Sequence, residues 1–218
     1  MPSKEREYRS MELRAVKNGD MPTGDDYVVE GYATTFDDTY ELFRDGNYIV
    51  MEKVDRDAFK DTDMSDVIFQ IDHEGRVYAR TRNDSLSLKI DEHGLKTRAD
   101  LGLTESSRSV YEDINAGLYD RMSFAFTVNK DSFTEEERDD GTVIVTRTIL
   151  GVGKLYDVSA VSFPANPNTD ISARSKDLID GEIKRFEAER LHEKEINEKR
   201  AEVLAKIDSI LEVTTDGN

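Results

Sequence analysis

Eight short runs of β-branched, aromatic and aliphatic residues, cut apart by clusters of Asp, Gly and Asn, constrain this chain more than any other feature. They are YVVEGYATTF, NYIVMEKV, DVIFQI, SLSLKI, GLKTRADL, RMSFAFTV, GTVIVTRTIL and YDVSAVSF, all between Met11 and Ala173. Runs of this length with turn residues between them read as strands, and many short strands point to a barrel or a sandwich. In RMSFAFTV the two-residue period of a strand puts Met122, Phe124, Phe126 and Val128 on one side and Arg121, Ser123, Ala125 and Thr127 on the other. The first set is a core face. The second is small and polar, which leaves Ser123 either solvated or kept uncrowded for a reaction.

The connections are equally legible. DEHG, ending in Gly94, predicts a hairpin turn between SLSLKI and the strand that follows. TESSRSVYEDINAGL begins with the capping residue Thr104, spaces Val110, Ile114 and Leu118 as on a helix, and carries Gly117 near its end. DSFTEEERDDG is too acidic and too poor in apolar residues to be buried, so it is expected as a solvated hairpin loop or a mobile flap. After NPNTDISARS the composition changes. Lys176 to Val213 has no Pro and mixes Glu, Lys and Arg, with Ile179, Ile183 and Phe186, then Leu204, Ile207 and Leu211, at three- and four-residue spacings. That is a long helix with two apolar patches, suited to docking or short-range self-association. The expected division is a disordered extension over 1–10, a β domain over 11–174 and a charged C-terminal helix over 175–218.

Charge and composition remove several function classes. The formal net charge is −17, and a field of that sign repels nucleic acid and anionic membrane, so neither is expected as a partner. With no cysteine in 218 residues there is no disulfide framework, thiolate chemistry or cysteine-ligated metal. No apolar run approaches the roughly 20 residues of a membrane span, and MPSKEREYRSMELRAV lacks the apolar segment of a secretory signal; a soluble, intracellular protein is expected. The three histidines form no His-x-x-x-His pair and the acids follow no calcium-loop pattern, so no metal is expected. GVGK, Gly151 to Lys154, has neither the strand-to-helix context nor the Ser or Thr of a phosphate loop. No cofactor is expected.

Without cysteine, the nucleophile candidates are hydroxyls, carboxylates and lysines. A serine hydroxyl needs an adjacent base, and histidine is the side chain best suited to that near neutral pH. His192 falls in the charged C-terminal helix and His93 in the DEHG turn. His73 directly follows DVIFQI, at a strand end where a rigid element meets a loop, which is where fixed catalytic groups tend to sit.

Three segments, taken together, resemble the prohead protease family of tailed bacteriophages, serine peptidases that mature capsids and are similar in fold to the herpesvirus assemblins. The first is VVEGYATTFDD. The second is VIFQIDHEGRVYARTRNDSLSLKIDEHGLKTRADL, with the family's histidine, the Arg-Thr after it and the hairpin leading to a Gly-Leu strand. The third joins GLYDRMSFAFTV to VGKLYDVSAVSFPANPNTDISAR, the nucleophile strand and the closing strand. The resemblance spans roughly Met11 to Arg174. It implies Ser123 as nucleophile and His73 as general base. It also implies an acid at Asp157, which strand alternation puts on the same side as Ser159; the herpesvirus relatives use a second histidine in that role, for which His93 is the candidate. Asp72 stands where the family often has Asn, and would point to the opposite side of a continuing strand from His73.

The implied fold is mainly β with peripheral α: a closed antiparallel β-barrel of assemblin type with outer helices, plus the long C-terminal helix. The implied function is a phage or prophage serine endopeptidase, inside the immature procapsid in the host bacterial cytoplasm, that cleaves the scaffold region of the major capsid protein and itself. SARSKD is expected to be an exposed linker and a self-cleavage region. The alternatives are a non-enzymatic scaffolding module, which needs neither Ser123 nor His73, and a small-ester hydrolase, which would not explain the helix.

Overall fold

The computed structural model describes residues 6–16, 27–162 and 173–215. It divides into two compact units, Met1–Ser175 and Lys176–Asn218. The first unit is built on one ten-stranded sheet. Its strands are β1 (Glu7–Ala15), β2 (Val28–Thr35), β3 (Tyr40–Asp45), β4 (Tyr48–Val54), β5 (Ile68–Ile71), β6 (Glu74–Arg80), β7 (Leu86–Ile90), β8 (Gly94–Asp100), β9 (Arg121–Glu137) and β10 (Val143–Val161). Helix α1 (Glu105–Asn115) connects β8 to β9, and α2 (Ala173–Thr215) extends through the second unit.

The main path of the sheet is β3-β4-β10-β9-β1-β2-β8-β7, with β5 on β10 and β6 on β5. This corrects the expected closed antiparallel barrel. The sheet is mixed and open, because β10 has nineteen residues and its edge opposite β9 is shared by two parallel neighbours. β4 lies along Val143 to Ile149 and β5 along Asp157 to Ala160. β3 and β7 end the path without meeting each other. Strand-forming composition marks which residues extend, but not which edges they seek.

Two boundaries also differ from expectation. Val143 to Val161, which takes in most of GTVIVTRTIL and YDVSAVSF, is one strand, carried through register shifts at Ile149, Gly151, Val152, Lys154, Leu155 and Asp157. At Gly151 an added Cβ would run into Asn129 Oδ1, so a larger residue in this irregular stretch would have to displace the Asn129 side chain. The acidic segment is not a loop throughout. β9 runs on to Glu137 in alternating exposure, and Asp131 to Glu137 pair with Ile149 to Val143.

Met122, Phe124, Phe126 and Val128 are buried in one hydrophobic cluster with Leu13, Val29, Leu95, Leu155 and Val158, and with Val110 and Ile114 of α1. Thr104 caps that helix by accepting from the Ser107 amide at 3.1 Å, a contact worth about 1 kcal/mol. Gly117, at φ 79°, supplies the left-handed residue that ends it.

Glu7, Arg9, Glu52 and Arg147 are also buried. Arg9 donates to Glu52 and Glu7, and Arg147 to Glu7, Glu52 and Asp131, at 2.5 to 3.1 Å. Burial opposes the Arg147 charge, but Glu7 and Glu52 outweigh it and hold its pKa above the ordinary arginine value. Arg9 of β1 thus reaches Glu52 of β4 across β9 and β10, which requires a strongly curled sheet. β1 therefore begins at Glu7, inside the stretch expected to be a disordered extension; its inward residues are charged and paired, so hydrophobic alternation does not mark them.

α2 is helical from Ala173, so most of SARSKD is helix rather than linker. The stretch from Phe163 to Ser172 lies outside the described residues, as does Met1 to Glu5. Among the described residues no helix is long and apolar enough to cross a membrane.

Candidate active site

Register fixes the site. β9 and β10 are antiparallel with Ser123 opposite Ser159 and Ala125 opposite Asp157. On the far side of β9, β1 sets Ser10 opposite Ser123 and Tyr8 opposite Ala125. On the far side of β10, β5 sets Ile68 beside Asp157 and Gln70 beside Ser159. Facing residues of adjacent strands share a side of the sheet. Tyr8, Ser123, Ala125, Asp157 and Ser159 therefore lie on one face, while Arg9, Phe124, Phe126 and Val158 turn to the other.

His73 arrives on this face from the β5–β6 hairpin. Ile71 pairs with Glu74, leaving Asp72 and His73 as a two-residue turn with φ of 49° and 59°. Positive φ at both central positions is what the type I′ hairpin turn requires, and Asn-Gly is a usual choice. Two non-glycine residues here cost about 1 kcal/mol or more each. Gln70 stiffens the hairpin by donating from Nε2 to Gly75 O at 3.3 Å.

His73 Nδ1 lies 2.6 Å from Asp157 Oδ1, and the Ser159 hydroxyl donates to the same oxygen at 2.8 Å. Asp157 is 2% exposed and sits within β10. A carboxylate only accepts, so in the neutral imidazole this contact puts the proton on Nδ1 and the lone pair on Nε2. Tyr8 meets the His73 ring edge-on, centroids 4.5 Å apart.

Two atoms of this face are buried without a hydrogen-bond partner among the described residues: His73 Nε2 and Ser123 Oγ. They are not hydrogen-bonded to each other. An unsatisfied buried polar atom is costly and uncommon, and here the two orphans are an imidazole acceptor and a hydroxyl donor.

The other histidines lie elsewhere. His93 is exposed in the β7–β8 turn, edge-on to Tyr32 at 4.7 Å, and His192 is exposed on α2. Asp72 turns back on β10, accepting from Ser162 N and Ser162 Oγ at 2.7 Å each. Tyr8, Ser159 and Ser162 were not singled out from sequence. Ser159 carried a signal, since it shares a strand face with Asp157 two residues away. Tyr8 carried none, because EREYRS shows no apolar period. Among the described residues no group of three or more His, Asp or Glu is placed to hold a metal ion.

Comparison with known proteins supplies an independent finding. A family model described as caudovirus prohead serine protease matches residues 10–182. Searches of curated proteins and of solved structures return no match to this chain. The matched segment covers most of the chain and contains Ser123, His73 and Asp157, so this protein belongs to the caudovirus prohead serine protease family.

Proposed function

We propose that this chain is an active serine endopeptidase that uses Ser123, His73 and Asp157 to cleave the scaffold region of the major capsid protein, and itself, within the assembling procapsid. The observation that carries this reading is the Asp157 contact with His73 Nδ1, which leaves Nε2 unpartnered on the same sheet face as the unpartnered Ser123 hydroxyl.

The chemistry follows from those atoms. His73 Nε2 takes the Ser123 proton as Oγ bonds to the peptide carbonyl carbon, and Asp157 stabilises the imidazolium through Nδ1–H. Collapse of the tetrahedral intermediate breaks the C–N bond, with Nε2 returning its proton to the leaving amine. Water then repeats the sequence on the acyl-enzyme, regenerating the Ser123 hydroxyl. Ala125, opposite Asp157 in the ladder, keeps the position beside Ser123 small. The family match supports the assignment to capsid maturation.

The test is co-expression with the cognate major capsid protein, comparing the intact chain with Ser123→Ala and Asp157→Ala. The expected outcome is a shortened capsid protein with the intact chain, none with Ser123→Ala, and slowed but detectable cleavage with Asp157→Ala. Equal shortening by the intact chain and Ser123→Ala would overturn the nucleophile assignment.

A further inference from the structure

The hairpin that carries His73 is held by something other than its own sequence. Asp72 and His73 both occupy the left-handed region, at φ 49° and 59°. An isolated two-residue turn favours Asn-Gly at these positions, so this pair persists only where the surroundings fix it. Three hydrogen bonds do so, all to the end of β10. The Asp72 amide donates to Ala160 O at 2.9 Å. Asp72 Oδ1 accepts from the Ser162 amide and Oδ2 from the Ser162 hydroxyl, both at 2.7 Å.

β10 also carries Asp157, the partner of His73 Nδ1. The turn is therefore fastened to the end of the strand that presents the carboxylate.

We infer that Asp72 is a positioning residue: by clasping Ser162 it holds the strained turn in the one geometry that aims His73 Nδ1 at Asp157. The inference rests on the reading of His73 as general base, and deepens it. Asp72 touches neither His73 Nε2 nor Ser123, so it acts only through the turn. Its carboxylate accepts two bonds where an Asn side chain offers a single oxygen acceptor, which suits the paired donors of Ser162.

The experiment compares the full-length chain with Asp72→Ala, Asp72→Asn, Ser162→Ala and His73→Ala. It follows cleavage of the capsid protein, and nitrogen-15 and proton spectra of a sample labelled at histidine. In the wild type, a strongly downfield Nδ1 proton absent from His73→Ala reports the Asp157 contact. Asp72→Ala is expected to broaden or remove that signal and to lower kcat by about tenfold or more while KM stays within about twofold. Asp72→Asn keeps the turn preference and one acceptor, so it should restore most of the signal and most of kcat. Ser162→Ala loses one donor and keeps the amide, giving a smaller loss and a variant that folds even where Asp72→Ala does not.

An unchanged Nδ1 proton and unchanged kcat in folded Asp72→Ala, or in Ser162→Ala should Asp72→Ala not fold, would overturn the inference. Absence of cleavage by every protein, the wild type included, would strike the proposed function instead. The spectra would then still decide the clasp, because they read the His73 contact without turnover.

Discussion

Arg147 shows most sharply how single residues hold this molecule. It is 1% exposed and donates to three carboxylates, those of Glu7, Glu52 and Asp131. Removing it would take one of the two guanidinium groups away from the buried Glu7 and Glu52, leaving Arg9 and, for Glu52, the Tyr40 hydroxyl that donates to it at 2.6 Å. Breaking a buried ionic network from one side costs about 3–5 kcal/mol, because the desolvation penalty of the abandoned charge remains. Arg147→Ala is therefore expected to lower unfolding free energy by about that amount in denaturant titration. A loss below about 1 kcal/mol, the value of an exposed pair, would show that the network is hydrated. At this scale the sequence was informative where a residue's chemistry is scarce. Three histidines and no cysteine left few bases to weigh, and the serine face of β9 was visible from its alternation. It was silent on Glu7 and Arg9, since a charged residue buried by pairing looks in sequence like one bathed in water.

Among the elements, the β2–β8 pair depends on one close approach. A Cβ on Gly94 would lie 2.0 Å from Thr34 O and 3.0 Å from Thr34 C, both backbone atoms. Backbone in a ladder cannot swing aside as a side chain can. Gly94→Ala should then cost about 1–3 kcal/mol, the range for forced overpacking, and shift the melting temperature down, whereas an unchanged midpoint would mean that the two strands separate without penalty. The DEHG turn was legible as a turn, but its glycine serves contact with a neighbouring strand rather than a left-handed φ. The same limit governs the larger elements. Hydrophobic runs located β2, β4, β5, β7, β8, β9 and β10, though not β3 or β6, and capping chemistry located α1. Register shifts that join two runs into β10, and the extension of β9 through an acidic segment, are settled by backbone pairing, which leaves no side-chain pattern.

For the molecule as a whole, the open sheet changes how aggregation is avoided. A closed barrel would have removed its edges, but here β3 and β7 end the path. β3 exposes Glu41, Arg44 and Asp45, and β7 is only five residues long with Ser87 and Lys89 exposed. Short or charged edge strands resist pairing with other chains, and the net charge of −17 adds repulsion between copies. The same curled sheet brings β1, β9, β10 and the β5–β6 hairpin together, so Ser123, His73 and Asp157 from three distant stretches share one face. Activation of Ser123 by His73 on this face is tested by treatment with a fluorophosphonate, whose phosphorus bonds to an activated serine Oγ as fluoride leaves, followed by peptide mapping. An adduct is expected on Ser123 alone among the serines, and is lost in His73→Ala. An adduct on another serine instead, or equal labelling of Ser123 in His73→Ala, would contradict it.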